Sequence, residues 1–444
     1  MFGGFVTHLF RVKIRTNRNI GVLKGQNPNN NSGRRNASVK YVILLGDGMS
    51  DEKIPELGGR TPLQAAIKTH MDQMATCGKL GLVQTIPQGF PPGSDVGNLS
   101  ILGYDPHAYH SGRAAFEAAG MGVELGQDDV AFRLNLITLR MRGGETFMED
   151  YSAGHISDAE GRELIELLQG ELGNEEFEFH AGLGYRHLMI WHGGTDRIVT
   201  EQPQDILGKN IASHLPKGAA APHITRIMNA ARTILTQHPQ YNRRIAEHKN
   251  PVSSIWLWGQ GKSPRMSTLR ERIGLDGAVV CAVNLVRGIG VYAGLTVLRV
   301  PGATGDVDTN YQGKAEAALR ALETHDLVYV HVEAPDEASH AGNLYDKIRA
   351  IELFDRFVVG SVLKGIGRFG EFRILCTTDH STPVRIRSHS ADAVPFIFFS
   401  GESNVKSDIS GYDEDSAKST GLLVTEGHRL IDIFTRGNWA EFSC

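Results

Sequence analysis

The sequence has few cysteines, no long apolar run and, over its first 40 residues, no acidic side chain. The four cysteines are far apart, show no CxxC spacing and are too few to form a disulfide framework for a chain of 444 residues. This favours a reducing compartment. No stretch of about 18 or more apolar residues occurs, so no transmembrane helix is expected. The GxxxxGKS/T motif and a protein-kinase catalytic loop are also missing, which excludes the common ATP-dependent kinases.

Charge is unevenly distributed along the chain. Residues 1–40 carry eight Lys or Arg, so the net charge of −4 leaves about −12 on the remaining 404 residues. An acidic body argues against a nucleic-acid partner, which would require clustered Lys and Arg on the folded domain. Residues 1–38 are excluded from the fold. Their composition is typical of an organellar transit peptide, and a disordered extension or a wrongly assigned start codon is the alternative. The expected location is the cytoplasm, or a mitochondrion or plastid if the segment is a transit peptide.

Three short apolar runs are each followed by an acidic residue. Residues 41–45 precede Asp47, residues 327–332 precede Asp336, and residues 372–377 precede Asp379 and His380. The runs are too short for helices and are predicted to be buried strands. Since ligand sites collect at the carboxyl edge of parallel sheets, the three carboxylates are expected to converge. Helical patterns at 313–322 and 345–362 complete an α/β alternation.

The middle of the chain has a different pattern. Residues 111–304 are rich in glycine, with short strand-like runs and helical stretches near 158–168 and 224–235. We interpret this segment as an inserted second α/β or α+β domain, with residues 39–110 and 305–444 forming the main domain. The polar segment 237–251 is predicted to be an exposed loop.

Seven side chains are candidates to hold two divalent cations: Asp47, Ser94, Asp336, His340, Asp379, His380 and His389. Asp336 and His340 are spaced i, i+4, which places both on one face of a helix. An oxygen-rich set without cysteine favours Mn²⁺ or Mg²⁺, with Zn²⁺ possible. Taken singly, each could be a surface carboxylate or a solvated loop histidine. Together they indicate phosphoryl transfer, because two cations roughly 4 Å apart can clamp a phosphoryl group.

Ser94 lies in PPGSDVGN, where the prolines and glycine predict a turn that leads into a helix N-terminus. Backbone N–H groups at such an end receive anions, and a bound metal can activate a serine hydroxyl as a nucleophile. The alternative is a serine that only caps the helix.

The residues resemble the archaeal-type, 2,3-bisphosphoglycerate-independent phosphoglycerate mutases of the alkaline-phosphatase-like metalloenzyme superfamily. The resemblance covers about residues 40–436. It rests on LLGDGMSD, PPGSDVGNLSILGYDP, YHSGRAAFEAAGMG, YSAGHIS, PGATGDVDTNYQGKA, HVEAPDEASHAGN, TTDHSTP and SHSADAVPF. Ser339 departs from the family pattern, which has glycine beside the ligand.

The resemblance implies an alkaline-phosphatase-like α/β domain with a domain inserted after the nucleophile. It assigns Asp336, His340 and His389 to one metal, and Asp47, Ser94, Asp379 and His380 to the other. Mn²⁺ is the expected metal, with Mg²⁺, Zn²⁺ and Co²⁺ as alternatives. Ser94 would carry the phosphate between the two hydroxyls of glycerate, without 2,3-bisphosphoglycerate.

The resemblance also implies substrate contacts, because phosphate and carboxylate call for guanidinium and ammonium partners. These residues are Arg113, Arg133, Arg186 and Lys314, with His155 as an acid or base on the glycerate hydroxyls. Each taken alone could equally be a surface or structural residue.

Two other functions are compatible with the sequence. A metal-dependent phosphatase, or a mutase or kinase-like enzyme of the same superfamily, would use the same metals and serine on another phosphorylated small molecule. A non-catalytic binding protein that keeps the fold would have lost Ser94 or a ligand, and all seven are present. The partner in each enzyme case is a small molecule, with no membrane or nucleic acid, and the oligomeric state is open.

Overall fold

The computed structural model describes residues 39–401 and 408–437 of the chain. The basic segment 1–38, with its predicted transit peptide or extension, and Cys444 lie outside the described residues. Within the described ranges, no helix combines the length and the apolar character that a bilayer crossing needs.

The described residues form thirteen strands in two sheets. The strands are β1 (Lys40–Gly46), β2 (Lys79–Val83), β3 (Val130–Arg142), β4 (Glu145–Asp150), β5 (Phe177–Leu183), β6 (Arg186–Trp191), β7 (Ser254–Gly261), β8 (Gly277–Val280), β9 (Thr296–Leu298), β10 (Leu327–Val332), β11 (Phe372–Thr377), β12 (Val394–Ser400) and β13 (Leu423–Val424). The larger sheet has the order β13-β2-β12-β11-β1-β10-β8-β9, and β12 alone among these eight strands is antiparallel to its neighbours.

The helices of the described ranges account for most of the remaining regular structure. They are α1 (Pro62–Ala65), α2 (Thr69–Cys77), α3 (Ser94–Ile101), α4 (Pro106–Tyr109), α5 (Arg113–Met121), α6 (Asp158–Leu172), α7 (Ala221–Gln237), α8 (Pro239–Ala246), α9 (Leu269–Ile273), α10 (Asn284–Tyr292), α11 (Tyr311–Ala321), α12 (Ala334–His340), α13 (Leu344–Leu353), α14 (Gly360–Ile366), α15 (Glu414–Ser419) and α16 (Leu430–Arg436). A π-helical segment, Phe354–Val359, joins α13 to α14. The predicted α/β fold, with a mostly parallel sheet flanked by helices, is confirmed.

The central strand β1 is buried on both faces. Val42 and Leu44 belong to one hydrophobic cluster, whereas Ile43 and Leu45 belong to another. Successive side chains of a strand point to opposite faces, so a strand between two helical layers is apolar at every position. This explains why the sequence shows a continuous apolar run here.

The smaller sheet is antiparallel, with the order β4-β3-β6-β5 and with β7 paired to β3. Phe132 and Leu134 of β3 share a cluster with Leu164 of α6 and Ile224 of α7. This sheet therefore has a core of its own.

The structure changes the predicted limits of the inserted segment. Strands β8 and β9 lie within residues 111–304, yet they pair with β10 and with each other in the larger sheet. Helix α5 approaches α10 closely, since a Cβ built on Gly288 would lie 1.6 Å from the Phe116 carbonyl oxygen. The residues of the smaller sheet therefore run from β3 to β7, and the chain returns to the larger sheet before residue 305.

The prediction of an exposed loop at 237–251 is wrong, because residues 239–246 form α8. Arg244 of this helix is buried and donates to the Ala153 carbonyl at 2.6 Å and to Glu160 Oε2 at 3.0 Å. These partners compensate the buried charge, so a polar sequence can form a packed helix.

Candidate active site

Four of the predicted ligands lie at the carboxyl edge of three neighbouring strands. Asp47 follows β1, Asp336 lies on α12 after β10, and Asp379 and His380 follow β11. The strands β10 and β11 pair with β1 on its two sides, both in parallel. All four side chains are buried. The predicted convergence of the three carboxylates is confirmed.

Asp336, His340 and His389 form one candidate metal-binding group. Asp336 Oδ2 lies 3.2 Å from His340 Nε2, and the two Nε2 atoms of His340 and His389 are 2.9 Å apart. Each Nδ1 contacts a carbonyl oxygen, that of Arg387 at 3.0 Å and that of Pro92 at 3.2 Å. A carbonyl only accepts, so each Nδ1 donates, and each ring that loses its Nε2 proton to a cation directs an Nε2 lone pair at the same point. That arrangement fits a cation between them.

The second group surrounds Ser94. Its Oγ lies 3.3 Å from His380 Nε2, which is 3.4 Å from Asp47 Oδ1 and 3.5 Å from Asp379 Oδ2. Ser94 is the first residue of α3, as the turn sequence predicts. Asp47 Oδ1 is buried and accepts no hydrogen bond from any described residue. An unpaired buried carboxylate oxygen beside an imidazole nitrogen and a hydroxyl fits a ligand position for a divalent cation.

Electrostatics favour a cation at this edge. Burial, together with the charges of Asp379 and Asp336, raises the pKa of Asp47 well above its ordinary value. Burial likewise raises the pKa of Asp379. At Asp336 burial opposes ionisation, but the charges of His340 and His389 outweigh it and hold the pKa well below the usual range. Carboxylates that repel one another in a buried site are stabilised by a divalent cation.

A second layer of contacts orients the ligands. Asn98 donates from Nδ2 to Asp379 Oδ2 at 2.8 Å, and the Tyr329 hydroxyl donates to Asn98 Oδ1. The Thr382 hydroxyl donates to Asp336 Oδ1 at 2.6 Å. Gly48 has a positive φ of 60°, and a Cβ there would lie 2.6 Å from Asp336 Oδ1. Only glycine fits this turn without displacing a ligand.

Three of the predicted substrate residues lie close together. Arg113 Nε and Arg133 Nη1 donate to the same Glu117 oxygen at 2.7 and 2.5 Å. Their guanidinium groups lie 5.9 and 4.9 Å from the Trp258 ring. Burial lowers the pKa of Arg133 to about 10, with the charges of Arg113 and Arg186 acting in the same direction. Arg113 and Arg133 share one carboxylate, which leaves an excess of positive charge that suits an anionic substrate.

Arg186 connects this cluster with the metal ligands. It donates from Nη2 to Glu337 Oε1 at 3.3 Å, and Glu337 follows Asp336 directly on α12. Its guanidinium also lies 4.9 Å from the Tyr185 ring, against which the exposed His155 packs edge-on at 6.2 Å. His155 and Arg186 thus both contact the Tyr185 ring, and the role of His155 stays a prediction.

Lys314 occupies a different position from the other predicted substrate residues. Its ammonium group is buried and donates to the His331 carbonyl oxygen at 3.0 Å. Burial lowers the pKa of this group to about 8. The ammonium group therefore lies at the C-terminal part of β10, and its contact with substrate stays a prediction.

Two residues of the site are missing from the sequence-based set. His331 is fully buried on β10, with Nε2 3.1 Å from Asp47 Oδ2, and it forms a further candidate group with Asp47 and Asp379. A histidine inside an apolar strand was the available signal. Glu117 holds two of the arginines, and its i, i+4 spacing from Arg113 could have indicated the pair.

Comparisons with known proteins identify one family. The family model described as 2,3-bisphosphoglycerate-independent phosphoglycerate mutase matches residues 75–241. A Geobacter sulfurreducens protein named "Probable 2,3-bisphosphoglycerate-independent phosphoglycerate mutase" is 58% identical over 89% of this chain and 99% of its own length. A 2,3-bisphosphoglycerate-independent phosphoglycerate mutase of Methanosarcina barkeri is 48% identical over 90% of this chain and 100% of its own.

Two solved structures are similar along nearly their whole length. A Pyrococcus horikoshii protein has 29% identity and a TM-score of 0.74, covering 90% of this chain and 97% of its own. The cofactor-independent phosphoglycerate mutase of Thermoplasma acidophilum has 27% identity and a TM-score of 0.58, covering 90% of this chain and 99% of its own. The chain belongs to the 2,3-bisphosphoglycerate-independent phosphoglycerate mutase family.

Proposed function

We propose that the protein interconverts 3-phosphoglycerate and 2-phosphoglycerate through a phosphoserine at Ser94, without a bisphosphorylated cofactor. The observation that carries the proposal is the position of the Ser94 hydroxyl. It lies at the N-terminus of α3, 3.3 Å from His380 Nε2, beside two groups of side chains that fit divalent cations. The family membership of the chain and the names of its relatives support the same reaction.

The residues that would hold the cations fall into two sets. Asp336, His340 and His389 would hold one ion, and Asp47, Ser94, Asp379 and His380 would hold the other. Bound divalent cations would lower the pKa of the serine hydroxyl and neutralise phosphoryl oxygens. Mn²⁺ is the proposed ion, because the ligands are oxygens and imidazole nitrogens without thiolate, and Mg²⁺, Zn²⁺ and Co²⁺ are the alternatives.

The proposed reaction consists of two phosphoryl transfers, and Ser94 carries the phosphate between them. Ser94 Oγ attacks the phosphorus of 3-phosphoglycerate, so a serine O–P bond forms and the O3–P bond of the substrate breaks. Glycerate then turns within the site, and its 2-hydroxyl oxygen attacks the same phosphorus and restores the serine. His155 would hold the proton that moves between the two glycerate oxygens.

The arginines would keep glycerate in place between the two steps. Arg113, Arg133 and Arg186 carry more positive charge than Glu117 neutralises, so they would bind the carboxylate and the phosphate. Arg133 and Arg186 belong to the smaller sheet, whereas Ser94 belongs to the larger sheet's layer of helices. We infer that the smaller sheet and its helices act as a substrate-binding domain that excludes water from the phosphoserine.

The test is an enolase-coupled assay of the full chain with 3-phosphoglycerate and Mn²⁺, without 2,3-bisphosphoglycerate, run beside a measurement of free phosphate. We expect metal-dependent formation of 2-phosphoglycerate with little phosphate release. The Ser94→Ala variant should lose turnover while its circular dichroism spectrum and bound metal persist. Near-normal activity of that variant would refute the role of Ser94. Phosphate release without 2-phosphoglycerate would indicate a phosphatase. No product in either assay would indicate another phosphorylated substrate.

A further inference from the structure

Among the described residues, His331 is an imidazole at the carboxyl edge that the two proposed ligand sets do not use. It lies on β10 between Tyr329 and Glu333, it has no exposed surface, and its ring faces Asp47. A fully buried histidine without a packing or ligand role is unusual, because its polar atoms lose their contact with water. Its contacts indicate what it does.

One ring nitrogen is engaged and the other is not. Nε2 lies 3.1 Å from Asp47 Oδ2, which is a hydrogen-bond distance. Nδ1 has no hydrogen-bond partner within the described part of the chain, and Glu333 Oε2 lies 3.8 Å away. The ammonium group of Lys314 donates to the His331 carbonyl oxygen at 3.0 Å, and this contact anchors the backbone of His331. The ring is therefore held with Nε2 directed at Asp47.

This contact determines how the Asp47 carboxylate is turned. Oδ2 is within hydrogen-bond distance of His331 Nε2, and Oδ1 faces His380 Nε2 at 3.4 Å. Oδ1 is also the atom of Asp47 that accepts no hydrogen bond from a described residue. One oxygen is thus anchored, while the other is presented towards Ser94 and His380.

We propose that His331 is a positioning residue for Asp47, which donates from Nε2 to Oδ2 and so orients Oδ1 towards the cation position that Asp47 shares with Ser94 and His380. The proposal rests on the two-metal site of the proposed function. Partners of this kind typically change metal affinity by about 10- to 100-fold when they are removed.

The geometry favours this role over direct ligation by His331. A histidine that ligates a metal through Nε2 normally donates its Nδ1 proton to an oxygen. His340, His389 and His380 each have such an oxygen near Nδ1, at 3.0, 3.2 and 3.0 Å. The oxygen near Nδ1 of His331 is Glu333 Oε2, which is 3.8 Å away and beyond hydrogen-bond distance, so the proton belongs on Nε2, where Asp47 accepts it.

The test measures metal affinity directly and does not depend on mutase activity. Mn²⁺ is titrated calorimetrically into the full-length metal-free wild type and into His331→Leu, His331→Gln and His187→Leu. His187 is a matched control, because it is equally buried but lies on β6 of the smaller sheet. We expect His331→Leu to lower the affinity for one of the two Mn²⁺ ions by about 10- to 100-fold and to leave the affinity for the other unchanged. His331→Gln, which keeps an N–H donor, should recover most of the loss, and His187→Leu should match the wild type.

Several results would overturn the proposal. One such result is an unchanged affinity for both ions in His331→Leu, and another is an equal loss of affinity for both. A third is an additional ion in the wild type that His331→Leu does not bind, which would make His331 a ligand.

If His331→Leu does not fold, the tautomer of His331 is measured by ¹⁵N NMR of the histidine-labelled wild type, and His331→Gln assigns the signal. A proton on Nε2 before and after Mg²⁺ addition supports positioning, whereas a proton on Nδ1 refutes it. Normal metal binding without mutase activity would refute the proposed function and leave this inference standing.

Discussion

The hydroxyl of Thr382 has one proton, and the geometry determines where that proton goes. Asp336 Oδ1 can only accept when ionised, so Thr382 donates to it at 2.6 Å. The Thr382 oxygen must then accept from His380 Nδ1, 3.0 Å away. His380 is thereby fixed as the tautomer with a bare Nε2, and that atom faces Ser94. One hydroxyl thus orients a ligand from each of the two proposed metal sets.

The substitution Thr382→Val keeps the shape of the side chain and removes both hydrogen bonds. We expect kcat for 3-phosphoglycerate to fall by about 10- to 100-fold, because His380 can then adopt the tautomer that directs a proton at the metal position. Thr382→Ser retains the hydroxyl and should stay near the wild type. Steady-state kinetics with both variants checks this, and wild-type turnover in Thr382→Val would contradict the tautomer argument.

Glu117 holds Arg113 and Arg133 through a single oxygen in a buried position, and both arginines hold the pKa of this carboxyl below its ordinary value against the effect of burial. The substitution Glu117→Gln leaves these cations without their anion, so we expect a loss of about 3 kcal/mol in the free energy of unfolding. The KM for phosphoglycerate should also rise, because the guanidinium groups lose their orientation.

Urea unfolding and steady-state kinetics of Glu117→Gln test this prediction. The control is Glu316→Gln, since Glu316 forms an exposed pair with Arg320 at 3.9 Å and should contribute little. Equal stability of the two variants would show that the buried cluster does not depend on Glu117.

At the scale of whole elements, the strands that carry the ligands could be predicted, and several others could not. The strands β1, β10 and β11 are buried on both faces, so their apolar runs are continuous and the acidic residues after them stand out. The strands β8 and β9 have four and three residues, and β8 pairs with a strand more than 40 residues away along the chain. Such pairing depends on tertiary contacts that no local pattern reports.

Helix α8 and His331 escaped prediction for a related reason. Burial of Arg244 is compensated by Ala153 and Glu160, and burial of His331 is compensated by Asp47. A sequence pattern reports polarity, whereas these residues are buried because partners distant in sequence accept their protons. The ligands themselves could be predicted because their residue types and positions after strands are local features.

Glu414 ties the start of α15 to the loop that follows β1. It accepts from the Asp51 backbone N–H at 3.1 Å and from the Thr61 hydroxyl at 2.7 Å. Burial raises the pKa of this carboxyl from 4.5 to about 6. The folded state therefore binds this proton more tightly than the unfolded chain does. Stability from this group is present below pH 4.5 and is lost as the pH rises through about 6.

The substitution Glu414→Gln removes this dependence. The difference in unfolding free energy between variant and wild type should shift in favour of the variant by up to about 2 kcal/mol between pH 4 and pH 7. Chemical denaturation at both pH values measures it. The control is Glu426→Gln, because Glu426 forms an exposed ion pair with Arg429, and this variant should show no such shift. A difference that is constant with pH would refute the raised pKa.

At the scale of the whole molecule, the proposed cations join parts of the chain that are remote in sequence. One set of ligands spans residues 47 to 380 and the other spans residues 336 to 389, and all meet at one edge of the larger sheet. Without cations, burial and then the charges of Asp379 and Asp336 raise the pKa of Asp47, so the ionised carboxylates are unfavourable there. Metal binding should therefore stabilise the fold as well as the reaction.

Removal of the metal should lower the melting temperature of the full chain, and added Mn²⁺ should restore it. A ligand at 100 times its dissociation constant contributes about 2.7 kcal/mol, so two occupied sites contribute about twice that. Calorimetric scans at several Mn²⁺ concentrations measure the dependence, and Asp336→Asn serves as the comparison. That variant lacks a ligand oxygen of the proposed site, so its melting temperature should respond less to Mn²⁺ than that of the wild type. A melting temperature of the wild type that is independent of Mn²⁺ would show that the carboxylate cluster is stable without cations.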